Sequence, residues 1–306
     1  MSSRRETSSS DEGAGAAMGA IARIWRRSNA PDYTGVVILL AGWIVVGLFA
    51  TPFHRMFYVN DLRISYPHAE HQRVPVVMNF VYALFVPLGV LAAYNVVRQS
   101  RAAKHEATYL ALTISIVTAC FITDVIKNVV GRPRPDFLAR CQPDPKIKPN
   151  ILVSIEACTA PDGHTLQDGG RSFPSGHSAF AFSGLGFVRL FFAGQLRIFK
   201  HDSGGRDLSR ALFCLAPILG AALIAISRTE DYRHDVYDIS VGSLIGMTVA
   251  YWSYRRHWPT LTSDECDEPY PSTASDNPPA WQQIRDEEQG GAESNYELPQ
   301  YGQPSN

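Results

Sequence analysis

The stretch "TGVVILLAGWIVVGLFATPF", residues 34–53, runs for twenty residues without a charged side chain. A hydrocarbon layer about 30 Å thick needs roughly 20 helical residues, so this stretch is long enough to cross one. Working outward from it, five more runs have the same character: about 75–97, 107–130, 177–196, 210–226 and 237–254. Pro87 and Pro217 fall inside two of these runs, which is tolerable where neighbouring helices satisfy the freed backbone groups. Two apolar runs arise easily by chance; six with short polar connectors do not. The expectation is an all-α, polytopic membrane bundle of six transmembrane helices, occupying residues 31–258.

Bulk composition points the other way, because its averages hide an uneven charge distribution. The chain has 306 residues, a net charge of -1 and 45% hydrophobic residues. From Thr260 to Asn306 there are ten acidic residues and one basic one, Arg285, which leaves residues 1–259 with a net charge of about +8. That end is rich in Pro, Ser, Gly and acids, with no apolar period that could bury a face, so residues 259–306 are read as a disordered acidic tail. Residues 1–30 are read as a disordered, basic start without the apolar core of a cleaved signal peptide. Trp25 with Arg23, Arg26 and Arg27 suits a membrane-interface anchor.

Lysine and arginine placement orients the bundle. "RIWRR", "RQSRAAK", "RIFKHDSGGRDLSR" and "YRR" fall on one side, taken as the cytosol, and an even number of crossings puts both termini there. The opposite face receives the loops 54–74, 131–176 and 227–236, and these also carry Arg134, Arg171 and Arg228. Basic residues on the face that should be poor in them need a reason, and use in a binding site would supply one. Cys141 and Cys158 lie in the long loop on that non-cytosolic, non-reducing side, which makes them a candidate disulfide. His54, His68 and His71 have no partner motif and are read as surface residues.

Three polar clusters fall on this same face. "DVIKNVVGRPRPDF" (124–137) closes the third span and places Asp124 and Lys127 at membrane depth, where ionisable groups are costly. Read alone, Asp124 and Lys127 are as well explained as an i, i+3 pair at the interface. "RSFPSGHSAF" (171–180) opens the fourth span. There Pro174 and Gly176 shape a turn, Ser175 is a cap, and the helix start offers free N–H groups to an anion. Arg171 adds charge, and His177 stands where it can give a proton to a leaving oxygen. Alone, this cluster is more simply an ordinary cap beside a solvated histidine. "SRTEDYRHDVYD" (227–238) joins the last two spans. If a helix begins near Arg233, His234 and Asp238 share a face, and the carboxylate would fix the imidazole tautomer. A structural or metal-binding His–Asp pair is the plainer alternative.

Convergence of all three clusters on one face favours a joint purpose. One lysine, at least two arginines, a helix start, two histidines and an aspartate suit displacement at a phosphate, with cations where a metal would otherwise sit. No carboxylate-rich set on this face would hold Mg²⁺.

The spacings Lys127-x6-Arg134-Pro135, Pro174-Ser175-Gly176-His177 and Ser227-Arg228-x5-His234-x3-Asp238 resemble the three signature motifs of the type 2 phosphatidic acid phosphatase (lipid phosphate phosphatase) superfamily. The resemblance spans roughly residues 75–254 and looks closest to fungal diacylglycerol pyrophosphate and phosphatidate phosphatases. It implies a core like that of acid phosphatases and vanadium haloperoxidases. By the same resemblance, Lys127, Arg134 and Arg228 bind phosphate oxygens, with Ser175 and the Gly176 backbone completing the cradle. His177 protonates the leaving group, and His234, oriented by Asp238, becomes a phosphohistidine. It further implies no metal or other cofactor, activity without Mg²⁺, and phosphatidic acid, diacylglycerol pyrophosphate and related lipid phosphates as substrates. Asp235 departs from relatives that carry a histidine there, and a carboxylate beside the nucleophile is expected to raise its pKa or weaken anion binding.

Three other readings compete. The same site could serve another phosphorylated substrate, such as a polyisoprenyl diphosphate or a sugar phosphate. The chain could be a silent lipid-phosphate-binding relative, although His177, His234 and Asp238 argue against that. It could be a transporter, but its charges gather at one interface rather than through the bundle. The expected partners are the bilayer and a lipid phosphate, not nucleic acid. The site is expected on the luminal or extracellular face of the vacuole, Golgi, endoplasmic reticulum or plasma membrane. Oligomeric state is open.

Overall fold

The computed structural model describes residues 29–200 and 208–271. The expected disorder of residues 1–28 and 272–306 and the anchor around Trp25 lie outside the described residues. Among the described residues, and leaving aside two short 3-10 turns, eight helices appear in order: α1 Ala30–Phe49, α2 Val76–Val97, α3 Ala102–Val130, the short α4 Phe137–Cys141 and α5 His164–Gly169, then α6 Gly176–Gln195, α7 Leu208–Glu230 and α8 Val236–His257. Four of them, α1, α2, α3 and α7, are long and apolar enough to cross a membrane.

The six-span expectation is therefore met for four helices by length and composition, and the shortfall has a physical cause. Helix α6 packs against α8, α7 and α3 and sits at the centre of the bundle. A central helix is not solvated by lipid, so it has no need to be apolar all round. What it needs is small residues that let backbones approach. In α1, by contrast, Val36 is the buried residue while Val37, Ile38, Ile44, Val45, Leu48 and Phe49 are exposed. An apolar exterior of that kind is stable in hydrocarbon, not in water.

Glycines and hydroxyls set the spacing between central helices. Gly242 and Gly246 lie one turn apart on α8. A Cβ on Gly242 would come within 2.5 Å of the Ser175 carbonyl oxygen, and one on Gly246 within 2.8 Å of Phe182 Cβ. Ser115 Oγ on α3 donates to the Ser183 carbonyl on α6 at 3.0 Å, and Ser253 Oγ on α8 donates to the Ala111 carbonyl on α3 at 2.7 Å. Toward the other end, Phe187, Phe191, Tyr254 and Trp258 pack together, with Tyr254 and Trp258 stacked 5.5 Å apart. Helix α2 widens into a π-helical turn over Val81–Phe85, just before Pro87, which cannot donate a backbone hydrogen bond.

The loops expected on the far face form a small cap with its own core. Phe57, Ile64, Phe137, Cys141 and Leu166 cluster there, Phe57–Tyr58 pairs antiparallel with Leu152–Val153, and Cys141 is bonded to Cys158. His68 is not a partnerless surface residue: its Nδ1 lies 2.6 Å from the buried Asp136 carboxylate, which also takes Arg140 Nε at 3.0 Å. At the opposite end, residues 259–270 are not a loose tail. Cys266 is buried, the Asp267 carbonyl accepts Lys104 Nζ at 2.7 Å and Gln195 Nε2 at 2.8 Å, and the Asp267 carboxylate pairs with Arg197.

Candidate active site

Each predicted cluster reaches the site through a chain reversal that the sequence specifies. Helix α3 ends at Gly131, whose backbone is left-handed at φ 56°, and Pro133 follows. Arg134 then turns back, with its backbone N–H on the Gly169 carbonyl at 2.8 Å. Helix α6 starts at Gly176, capped by Ser175 Oγ, which accepts the Ser178 N–H at 3.4 Å. The link from α7 to α8 folds over the Arg228 carbonyl, which accepts the N–H groups of both Arg233 and His234 at 3.0 and 3.2 Å. Tyr232 takes φ 53° in this tight link and stacks on Tyr66 at 4.7 Å.

These reversals bring Lys127, Arg134, Gly176, His177, Arg228 and His234 onto one cavity of about 320 Å³. Two site residues do not line it. Ser175 is buried and its hydroxyl caps α6, and Asp238 stands behind His234. Helix α8 begins at Val236, three residues later than the shared-face reading requires, so His234 precedes the helix and meets Asp238 across its cap. Val76, Phe80, Cys120 and Phe180 add apolar side chains to the lining, interleaved with Asn79, Thr123 and Asp124.

Lys127 makes no hydrogen bond to a described residue, and a Cβ on Gly176 would stand 3.2 Å from its Nζ, so the glycine leaves the ammonium room at the helix start. Asp124 is not its ion-pair partner; that carboxylate takes the Trp43 indole N–H at 2.6 Å and ties α3 to α1. His177 Nε2 is buried without a hydrogen-bond partner. Arg228 is held by Gln72, Ser227 and Asp231 at 2.9 to 3.1 Å. Asp168 binds Arg134 and Arg140, and although burial works to raise its carboxyl, those two charges hold it below the usual range. Among the described residues no group of three or more His, Cys, Asp or Glu is placed to hold a metal ion; the cavity's positive charge comes from side chains.

The hydrogen bonds fix the His234 tautomer. Its Nε2 lies 3.3 Å from Arg134 Nη1, and a guanidinium can only donate, so Nε2 carries the lone pair and faces the cavity. Nδ1 carries the hydrogen and faces Ser172 and Asp238. Burial first, and then the Arg134 charge, pushes His234 down from its ordinary value to about 3, against the opposing pull of Asp238. The imidazole is therefore neutral at neutral pH, as a nucleophile must be.

That shift has a stability consequence. Below an ordinary histidine pKa of about 6.5 the unfolded chain takes up a proton that folded His234 refuses, so stability falls as acid is added. Thermal unfolding in detergent, followed from about pH 7.5 to 4.5, should show a larger fall in Tm for the parent than for His234→Gln.

Asp235 does not act as expected from the sequence. Its carboxylate caps α8 by accepting the Val236 N–H at 2.6 Å, and it pairs with Arg132 Nη2 at 2.9 Å. With its charge occupied there, it does not raise His234. Arg132 was missing from the sequence reading, as were Ser172, Asp168, Gln72 and Arg233.

A membrane-embedded helical core with paired histidines facing side-chain cations defines a class, and the comparisons agree. The PAP2 superfamily model matches residues 108–261, from α3 to just beyond α8, and the chain belongs to that superfamily. Within it, the chain is 37% identical over 237 residues to "Probable diacylglycerol pyrophosphate phosphatase 1" of Schizosaccharomyces pombe, covering 77% of this chain and 84% of the relative. It is 38% identical over 240 residues to diacylglycerol pyrophosphate phosphatase 1 of Saccharomyces cerevisiae, covering 77% and 80%. Lipid phosphate phosphatase 2 of Arabidopsis thaliana is 35% identical over 237 residues, covering 76% and 78%. No solved structure matches the chain.

Proposed function

We propose that this protein is a membrane lipid phosphate phosphatase that hydrolyses diacylglycerol pyrophosphate, phosphatidic acid and related lipid phosphates without Mg²⁺. The single observation that carries this reading is the His234 environment: an imidazole whose Nε2 lone pair, held by Arg134 Nη1 at 3.3 Å, lies at a cavity lined by Lys127, Arg134 and Arg228 and is released for attack when that guanidinium turns to the phosphoryl oxygens. His234 Nε2 attacks phosphorus while the bond to the leaving oxygen breaks. His177 gives that oxygen a proton, and water then attacks the phosphohistidine with His177 taking a proton back. The cations and the free N–H groups at the start of α6 stabilise charge on the phosphoryl oxygens. Ser175 contributes by shaping that helix start. The apolar side chains Val76, Phe80, Cys120 and Phe180 in the lining suit a substrate with a greasy end.

Six spans with both termini cytosolic are part of the proposal, with a core like that of acid phosphatases and haloperoxidases and the membrane domain within residues 31–258. Support for the spans comes from the convergence of the end of α3, the start of α6 and the α7–α8 link in one site. The site then faces a lumen or the cell exterior, where Cys141–Cys158 would be stable.

Phosphate release from diacylglycerol pyrophosphate and from phosphatidic acid, measured in detergent micelles with excess EDTA, tests the reading. Activity should persist in EDTA. Activity lost on chelation and restored by Mg²⁺ would overturn the metal-free mechanism.

A further inference from the structure

The carboxylate that the sequence pairs with His234 does not reach it. Asp238 Oδ2 lies 3.7 Å from His234 Nδ1, too far for a hydrogen bond. Ser172, fully buried beside the pair, touches both, with its Oγ 2.5 Å from Asp238 Oδ2 and 3.3 Å from His234 Nδ1. Donor chemistry gives these contacts a direction. Asp238 accepts from Arg132 Nη1 at 2.8 Å and from the Asp235 N–H at 2.9 Å as an ionised carboxylate with no hydrogen to give, so the serine hydroxyl donates to it. A hydroxyl has one hydrogen, so Ser172 Oγ meets His234 as an acceptor and takes the Nδ1–H. This agrees with the tautomer that Arg134 requires at Nε2.

We propose that Ser172 is a positioning residue for the reaction, a hydroxyl bridge through which Asp238 orients His234. The inference rests on the reading of His234 as the nucleophile. No proton changes hands: Nδ1–H remains on the ring, and the serine hydrogen stays on oxygen. The bridge carries the pull of the carboxylate to Nδ1 as positive charge develops on the ring during attack. Ser172 is held for this task by its backbone, whose N–H donates to the Arg132 carbonyl at 2.8 Å. Arg132 thus holds the serine by its main chain and the aspartate by its side chain, fixing both ends of the bridge.

The test compares Ser172→Ala, Ser172→Thr and His234→Ala in the full-length protein, with phosphatidic acid in detergent micelles. Ser172→Ala should lower kcat about 10- to 100-fold, by analogy with the loss when the outer hydrogen-bond partner of a metal-bound histidine is removed. KM should stay near the parent value, and Ser172→Thr, which keeps the hydroxyl, should recover most of the rate. As an independent readout, ¹H NMR should show the His234 Nδ1 proton in the same downfield position in the parent and Ser172→Thr, and shifted upfield in Ser172→Ala, where its acceptor is gone. Parent-like kcat and an unshifted Nδ1 proton in Ser172→Ala would overturn the bridge while leaving the nucleophile in place. Full activity in His234→Ala would overturn the underlying reading instead.

Discussion

His234→Ala is expected to abolish phosphate release, by about 10⁴-fold or more, since removing a nucleophile that acts within a unit costs nearly the whole chemical advantage. The loss should fall on kcat rather than KM, because Lys127, Arg134 and Arg228 hold the phosphoryl group whether or not the imidazole is present. Acid-labile, base-stable label from ³²P-substrate should be trapped on the quenched parent and be missing from this variant. His177→Ala should behave differently. A proton donor matters in proportion to how poor the leaving group is. His177→Ala should therefore fail on phosphatidic acid yet retain phosphoenzyme formation with p-nitrophenyl phosphate, whose phenolate leaves unaided. If both variants lost both substrates equally, separate roles for the two rings would be refuted.

The second large effect is expected far from any reacting atom. Gly242→Val places a branched side chain against the Ser175 carbonyl, backbone that cannot step aside. Overpacking of this kind costs about 1–3 kcal/mol in a well-packed interior. More important, α8 can relieve the clash only by moving off α6, and it carries Asp238, which accepts the Ser175 N–H at 2.9 Å through its carbonyl. A shift of about 1 Å between groups on the two helices is enough to cost roughly 100-fold in rate. Thermal unfolding and kcat should fall together in Gly242→Val. Gly47→Val on α1, where nothing lies within 4 Å of the added carbon, should change neither. A Gly242→Val protein with parental kcat would show that the α6–α8 spacing does not set the site.

The parts of this site that were legible in the sequence are those whose chemistry is local. Lys127, Arg134, His177, Arg228 and His234 announce themselves by residue type beside a turn or a helix end, and the turns are written in Gly131, Pro133, Pro174 and Gly176. Ser172 and Arg132 were not legible, because their roles lie in contacts with a carboxylate 66 and 106 residues away. Nothing near a serine in "RSFP" says that its hydroxyl will meet Asp238. The shared His234–Asp238 face, conditional on a helix from near Arg233, fails for a related reason although the span itself was placed at about 237. Asp235 reads as an intrusive charge in the sequence, whereas its side chain ends the preceding link and starts the helix in a capping box with Asp238. Hydropathy under-reads α6 for a related reason: a helix surrounded by protein is chosen for fit, so its residues are smaller and more polar than those of α1.

One consequence concerns the birth of the molecule. Lys127 is synthesised on α3, His177 on α6, and His234 only with the link that precedes α8, whose docking is set by Gly242 and Gly246. On the proposed reading, a growing chain carries Lys127, Arg134 and the start of α6 long before Arg228 and His234, which are made together. It would stay inert toward lipid phosphates until α8 has docked against α6.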